Sequence, residues 1–220
     1  MPTHDHLVER FEARISAPAF PCVGAKSALS RGNLSYVDGG DLRNTQGDAR
    51  VLAALHAFVA DAAPDAVFVS LVAVYPATPR LDEAGFESAL WARLSALHAL
   101  DRQTHAWDPT VSDDPASPRF SMSIGGRAFY VVGLHPGASR PARRFGSAAL
   151  VFNLHSQFEA LRADGRFGKL RDTIIDRDEA FSGSENPMLT VHGEASEARQ
   201  YSGRAVGAEW RCPFRGGSAH

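Results

Sequence analysis

The stretch 120-FSMSIGGRAFYVVGL-134 contains two runs of β-forming residues on either side of Gly125 and Gly126. Two adjacent glycines readily adopt the positive φ angles of a tight hairpin turn. The sequence therefore predicts strands over 120–124 and 127–134 that pair as a β-hairpin. Because the two strands of a hairpin are antiparallel, at least part of the sheet that contains them is antiparallel.

Other strands and helices are predicted on both sides of this hairpin. The nearly continuous β-forming run 67–75 indicates a central strand covered on both faces. Apolar residues at helical spacing predict a helix over 167–181 that buries Phe167, Leu170 and Ile174. Further elements are predicted over 1–19, 25–29, 48–62 and 82–102 as helical segments and over 34–37 and 148–153 as strands. The fold class is α+β, with a mixed, partly antiparallel central sheet and helices packed on it.

Two shorter helices are predicted from capping signals. Ser139 is a suitable N-cap for a short helix with Pro141 in its first turn. Ser156 and Glu159 have the spacing of a capping box at the start of another helix. Each of these helices follows a predicted strand.

Composition limits the class of protein. The 220 residues are 44% hydrophobic and 22% charged, and the formal net charge is −2, as in an ordinary globular protein. We expect a single domain over 1–220, with a leading segment 1–17 and a loose tail 215–220. The chain lacks a basic tract for nucleic acid, an apolar run of about 20 residues for a membrane and a signal peptide. We therefore expect a cytoplasmic protein without nucleic-acid or membrane partners.

His135 lies where an apolar strand ends in a Gly/Pro turn, and Arg140, Arg143 and Arg144 follow within nine residues. An iron porphyrin needs a rigidly held neutral imidazole, and its two propionates need cations. The pattern predicts a haem site with His135 as metal ligand and the three arginines as propionate ligands. The alternative is a structural histidine at a strand end, followed by solvated arginines.

Three further residues compete for roles at such a site. Cys22 lies in the apolar, turn-rich segment 20–24, and a thiolate is the other protein ligand that drives oxygen chemistry at haem iron. His155 follows an apolar strand, as an alternative axial ligand, as a distal group, or simply as a cap of its own helix. Asn153 is a candidate distal polar group. The other cysteine, Cys212, lies far from Cys22, so no Cys-x-x-Cys zinc site is present.

Several segments of the chain together resemble the YqcI/YcgG family. They are 20-FPCVGAKSAL-29, 133-GLHPGASRPARRF-145, 151-VFNLHSQF-158, 186-NPML-189, 200-QYSGR-204 and 210-WRCPF-214. The resemblance covers 18–214. Some members are haem-dependent N-hydroxylases that oxidise a guanidine nitrogen in the biosynthesis of cycloserine and guanitoxin. The resemblance implies haem b as cofactor, O₂ or peroxide as oxidant, an unidentified electron donor, and a small amino-acid-like substrate whose guanidine or amine nitrogen is hydroxylated.

A guanidinium or amine substrate calls for carboxylates. Asp178 and Glu185 flank the turn 182–184 and are the preferred candidates, whereas most acidic residues of 176–197 are expected to be solvated. Arg204 is a candidate for a substrate carboxylate or for the second propionate. Two other classes stay open: a haem-binding protein for storage, transfer or sensing, and a non-haem metal enzyme that uses His135, His155 and a carboxylate.

Overall fold

The computed structural model describes residues 3–63, 66–188 and 195–216, and its middle layer is a five-stranded sheet. Its strands are β1 (Leu34–Asp38), β2 (Ser70–Tyr75), β3 (Met122–Ile124), β4 (Arg127–Leu134) and β5 (Ala148–Leu154). Their spatial order is β1-β2-β5-β4-β3, with β1 and β2 parallel and the other pairs antiparallel. This confirms the predicted α+β class and the hairpin, whose Gly125 and Gly126 have φ angles of 62° and 70°.

Helices pack on the sheet, and some of them connect its strands. They are α1 (His4–Ser16), α2 (Val23–Ser30), α3 (Asp48–Asp61), α4 (Glu83–Asp101), α5 (His155–Ala163), α6 (Phe167–Ser182) and α7 (Ala198–Tyr201), with a 3₁₀ turn at Pro141–Arg143. Two predicted starts were wrong. The 3₁₀ turn follows Arg140 instead of Ser139, and α5 already begins at His155, so Ser156 is inside the helix.

The two faces of the sheet are covered differently because strand side chains alternate between faces. Phe129 and Val131 of β4 are fully buried in the core between the sheet and helices α3 and α4. On the opposite face, Val132 and Val151 stay partly buried beside a smaller core that α1 contributes to. The leading helix belongs to that core, since its Leu7, Phe11 and Ile15 are buried. No helix in the described ranges is long and apolar enough to cross a membrane.

Helix α6 lies over the half-covered face and differs from the prediction. None of its sixteen residues, all within the described part of the chain, is fully buried. Phe167 and Leu170 only pack beside a small cluster that includes Phe68 and Leu161. The helix therefore packs mainly on α2, α5 and the 3₁₀ turn, and Val132 and Val151 of the sheet stay only partly buried.

The first two residues of the predicted loose tail, Arg215 and Gly216, contact helix α4. The Arg215 amide donates to Ser95 Oγ (3.0 Å), and His98 Nε2 lies 3.2 Å from the Gly216 carbonyl oxygen. These contacts hold the chain against α4 as far as residue 216. The remainder of the predicted tail, 217–220, lies outside the described residues.

Candidate functional site

Four polar side chains lie near one another on the sheet face toward α6: Cys22, Tyr130, Arg143 and Asp178. Burial is the main cause that raises the pKa of the Cys22 thiol, raises the pKa of Tyr130 to about 12 and lowers the pKa of Arg143. Yet these three residues are only half-buried by accessible surface. These polar groups are desolvated, yet the protein covers them only in part. We call this group the Cys22 recess.

Cys22 is the N-cap residue of α2. Its Sγ accepts a hydrogen bond from the Ala25 amide at 3.4 Å. Burial raises the pKa of the thiol, while the amides of Ala25 and Gly24 and the charge of Arg143 oppose that effect and favour the thiolate. Since a coordinating thiol is deprotonated by the metal it binds, Cys22 has the surroundings of a thiolate ligand: N–H donors at sulfur and a cation nearby.

Arg143 joins three segments at the edge of the recess. Its Nη1 donates to the carbonyl oxygens of Gly133 (3.1 Å) and Tyr201 (3.2 Å), and its Nη2 donates to that of Gln200 (3.0 Å). Gly203, at φ 80°, leaves room for the side chain, because a Cβ there would lie 3.1 Å from Arg143 Cγ. Burial lowers the pKa of Arg143, whereas Tyr130 and Asp178 favour its charged form.

Arg140, predicted to bind a propionate, is brought together with Asp178 and Glu185, which were predicted to bind substrate. Arg140 Nη2 lies 2.5 Å from Asp178 Oδ2, and its Nη1 donates to the Glu185 carbonyl oxygen at 3.0 Å. Ser182 Oγ donates to the second Asp178 oxygen at 3.2 Å. The Glu185 side chain itself is exposed. The Asp178 carboxylate thus already holds a guanidinium, that of Arg140.

His135 lies on the other face of the sheet, away from Cys22. Its ring stacks on Phe86 of α4, with centroids 4.2 Å apart and planes inclined by 13°. It is 1% exposed, and within the described residues its Nδ1 has no regular hydrogen-bond partner. Burial lowers the pKa of His135 despite the opposing charge of Glu83, so the imidazole is neutral. Arg144, next to this turn, donates to the Ala138 and Ser139 carbonyl oxygens.

His155 is the first residue of α5. It lines a separate cavity of 310 Å³ together with Phe120, Glu159 and Glu197. Its Nδ1 lies 3.0 Å from Ser121 Oγ, and its Nε2 lies 3.3 Å from Glu159 Oε1. Since β4 and β5 are antiparallel, His135 and His155 follow their strands at opposite ends, roughly 20 Å apart. They cannot bind one metal ion together, which removes the arrangement expected for a non-haem metal enzyme.

Asn153 and Arg204 are both held by protein groups. Asn153 stands opposite Tyr130 in the sheet, and its amide nitrogen donates to the Tyr130 carbonyl oxygen at 3.2 Å. Arg204 is bonded to buried Glu87 of α4, at 2.9 Å from Nε and 2.5 Å from Nη2. Arg204 therefore forms an ion pair within the fold, and Asn153 borders the Cys22 recess.

Three residues near the recess were missed by the sequence analysis as site residues: Tyr130, Gln200 and Arg177. The Tyr130 hydroxyl donates to Gln200 Oε1 at 3.1 Å. Arg177 Nη2 donates to the carbonyl oxygens of Pro18 (2.7 Å) and Phe20 (3.0 Å), while its buried Nε has no partner within the described residues. Tyr130 was detectable as a polar interruption in an apolar strand; Arg177 gave no such signal.

Comparisons with known proteins agree with the motif segments. The model of the YqcI/YcgG family matches residues 11–215. No curated protein and no solved structure matches this chain. Segments 20–29, 133–145, 151–158 and 200–204 all contribute residues to the Cys22 recess or its border.

Proposed function

Because this chain belongs to the YqcI/YcgG family, we propose that it is a haem-dependent oxygenase that hydroxylates a guanidine or amine nitrogen of a small amino-acid-like substrate. The observation that carries the proposal is the Cys22 thiol, which lies in a recess beside Arg143 with backbone N–H groups directed at its sulfur. Cys22 thereby replaces His135 as the preferred axial ligand.

The residues of the recess fit a haem group in two respects. Cys22 offers a sulfur donor; burial raises the pKa of its thiol, and the Ala25 amide and the charge of Arg143 partly offset that effect. The partly buried Val132 and Val151 offer apolar contact for a macrocycle on the half-covered face. These are the thiolate and the apolar surroundings that haem proteins use to control iron chemistry.

The arginines divide into two sets as propionate partners. The donors of Arg140, Arg143 and Arg144 that form hydrogen bonds already bind protein oxygens. Arg177 has a buried Nε without a partner in the described ranges, and its Nη2 donates to the carbonyl oxygen of Phe20, two residues before Cys22. Arg177, together with the charge of Arg143, is therefore our preferred cation for a propionate.

Cys22 would hold the haem, which would supply the oxygen activation. With O₂ the reaction consumes two electrons and two protons, inserts one oxygen atom into an N–H bond and releases the other as water; with peroxide no external electrons are needed. Tyr130 keeps its proton at neutral pH, because burial raises its pKa to about 12, and it donates that O–H to Gln200. Tyr130, Gln200 and Asn153 are thus the polar groups that we assign to substrate orientation.

The test is to purify the protein from cells supplied with haem precursor and to record ferric, ferrous and ferrous-CO absorption spectra. We expect a haem spectrum whose CO complex has the form typical of thiolate ligation. L-Arginine, other guanidines and amines are then incubated with the protein and either peroxide or O₂ with a reductant, and products gaining one oxygen atom are sought by mass spectrometry.

Two variants separate the possible ligands. Cys22→Ser should lose the thiolate spectrum, whereas His135→Phe should keep it. If the spectrum instead changed in His135→Phe and stayed the same in Cys22→Ser, His135 would be the ligand. Absence of haem after reconstitution with haemin contradicts the proposal. Bound haem without substrate-dependent oxygen consumption would instead support a storage, transfer or sensing protein.

A further inference from the structure

A second cluster of polar side chains lies where the β3–β4 hairpin turn meets α3 and α4. His56 Nε2 is 2.6 Å from Asp101 Oδ1, and His105 Nδ1 is 3.2 Å from the same oxygen. The centroids of the two imidazole rings are 4.5 Å apart. One ligand atom from each of the three residues lies within 4.8 Å of the others. Two nitrogen donors and one carboxylate oxygen therefore converge on a single point.

The carboxylate of Asp101 is buried at the end of a helix. Asp101 is 2% exposed and is the last residue of α4, where the helix dipole disfavours a negative charge. Within the described residues, its ion-pair partners are the two imidazoles. A buried carboxylate therefore lies at the negative end of a helix, and no arginine or lysine of the described ranges pairs with it.

We infer that His56, Asp101 and His105 bind a divalent transition-metal ion of the zinc type. Imidazole nitrogen and carboxylate oxygen are ligands that Zn²⁺ prefers, and a site with three protein ligands keeps a position for water. The His56 and His105 side chains are 31% and 37% exposed, so an ion reaches them from solvent. Mg²⁺ and Ca²⁺ prefer all-oxygen sites and fit this donor set poorly.

The surroundings position the carboxylate. The Gly125 amide lies 3.1 Å and 3.0 Å from the two Asp101 oxygens, which fixes their direction. Gly125 is also packed closely, since a Cβ there would lie 3.4 Å from His56 Cδ2. Thr104 Oγ1 lies 2.9 Å from His105 Nδ1. A bound ion replaces the protons that the imidazoles share with Asp101 and links α3, the end of α4 and the hairpin turn.

The experiment uses the full chain without an affinity tag, treated with a chelator and then dialysed. Isothermal titration with ZnCl₂ should show one ion per chain at this site, and thermal unfolding should shift to higher temperature in excess Zn²⁺. His56→Gln and His105→Gln should each weaken the binding by more than about tenfold. His6→Gln, a change in exposed sequence on α1, is the matched control and should bind as the wild type does.

Two results would overturn the inference: no saturable binding of Zn²⁺, or binding that is equal in the wild type, His56→Gln and His105→Gln. The second result would assign the ion to other groups such as the thiols of Cys22 and Cys212. Circular dichroism of each variant checks that the fold is kept. Haem loading is measured on the same samples, and it should not change, because the cluster shares no residue with the Cys22 recess.

Discussion

The backbone amide of His135 donates to the carbonyl oxygen of Arg143 at 3.1 Å, although the side chains of the two residues serve opposite sides of the sheet. The His135 ring stacks on Phe86 of α4, while the Arg143 guanidinium lies beside Tyr130 in the Cys22 recess. Two groups that the sequence assigns to one haem site therefore belong to different environments. The charge of Arg143 nevertheless contributes to lowering the pKa of His135.

His135 should make stability depend on pH. Its pKa is lowered by burial in the folded protein, so the unfolded chain binds more protons below the ordinary histidine value of about 6.5. Stability is then complete above about pH 6.5 and is lost as pH falls below it, by at most about 1.4 kcal/mol per pH unit for one histidine. Urea unfolding between pH 7.5 and 5 should therefore show a flatter profile for His135→Phe than for the wild type.

His98 also has its pKa lowered by burial, so a residual slope should persist in His135→Phe. The control is His6→Gln, which should keep the full wild-type slope. An unchanged slope in His135→Phe would mean that His135 does not stay neutral in the fold.

Arg143 and Arg144 are adjacent in sequence but should differ strongly in their effect on stability. Arg143→Met leaves the carbonyl oxygens of Gly133, Gln200 and Tyr201 without their donor, at a cost of about 3 kcal/mol. Arg144 is exposed, and Arg144→Met should cost about 1 kcal/mol or less. Chemical denaturation of both variants measures the difference, and equal losses would contradict the central position of Arg143.

The strand pattern was predictable because it is local. The glycine pair 125–126 and the alternation in 127–134 follow from turn chemistry and from the two-residue period of strands. The same alternation, counted from buried Phe129, places His135 on the face of α4, as the structure does. Counting positions along the strand was enough to separate His135 from the recess.

The recess itself was not predictable from local pattern. Cys22 and Arg143 meet because α2 and the 3₁₀ turn pack around the same helix, α6, and the sequence alone does not give that topology. The same holds for Arg204, whose partner Glu87 lies on α4. Helix α6 differs from its prediction for another reason. Its apolar spacing predicts buried side chains, but packing over a half-covered face leaves none of them fully buried.

Arg204 should act through stability instead of substrate binding. Arg204→Met leaves buried Glu87 without its cation, although Ser202 Oγ still bonds to Glu87 Oε1 at 3.1 Å. Loss of one partner of a buried pair typically costs about 3–5 kcal/mol, and the partly exposed guanidinium should place this pair at the low end. The double variant Arg204→Met/Glu87→Leu should recover most of the loss in urea unfolding. A raised KM with unchanged stability would instead return Arg204 to the substrate site.

Tyr130 should affect turnover without affecting haem binding. In the proposed reaction its hydroxyl donates to Gln200 at 3.1 Å and keeps its proton, since burial raises its pKa to about 12. Tyr130→Phe removes that donor while keeping the ring contact with Phe158. Loss of correct substrate orientation can cost about 100-fold in rate, so kcat should fall at least about tenfold while the haem spectrum is unchanged. The matched control is Tyr36→Phe, whose hydroxyl instead contacts Glu12 of α1 and whose loss should leave kcat intact. Equal kcat in Tyr130→Phe and the wild type would exclude the phenol from the reaction, whereas loss of haem in that variant would make Tyr130 part of the cofactor site.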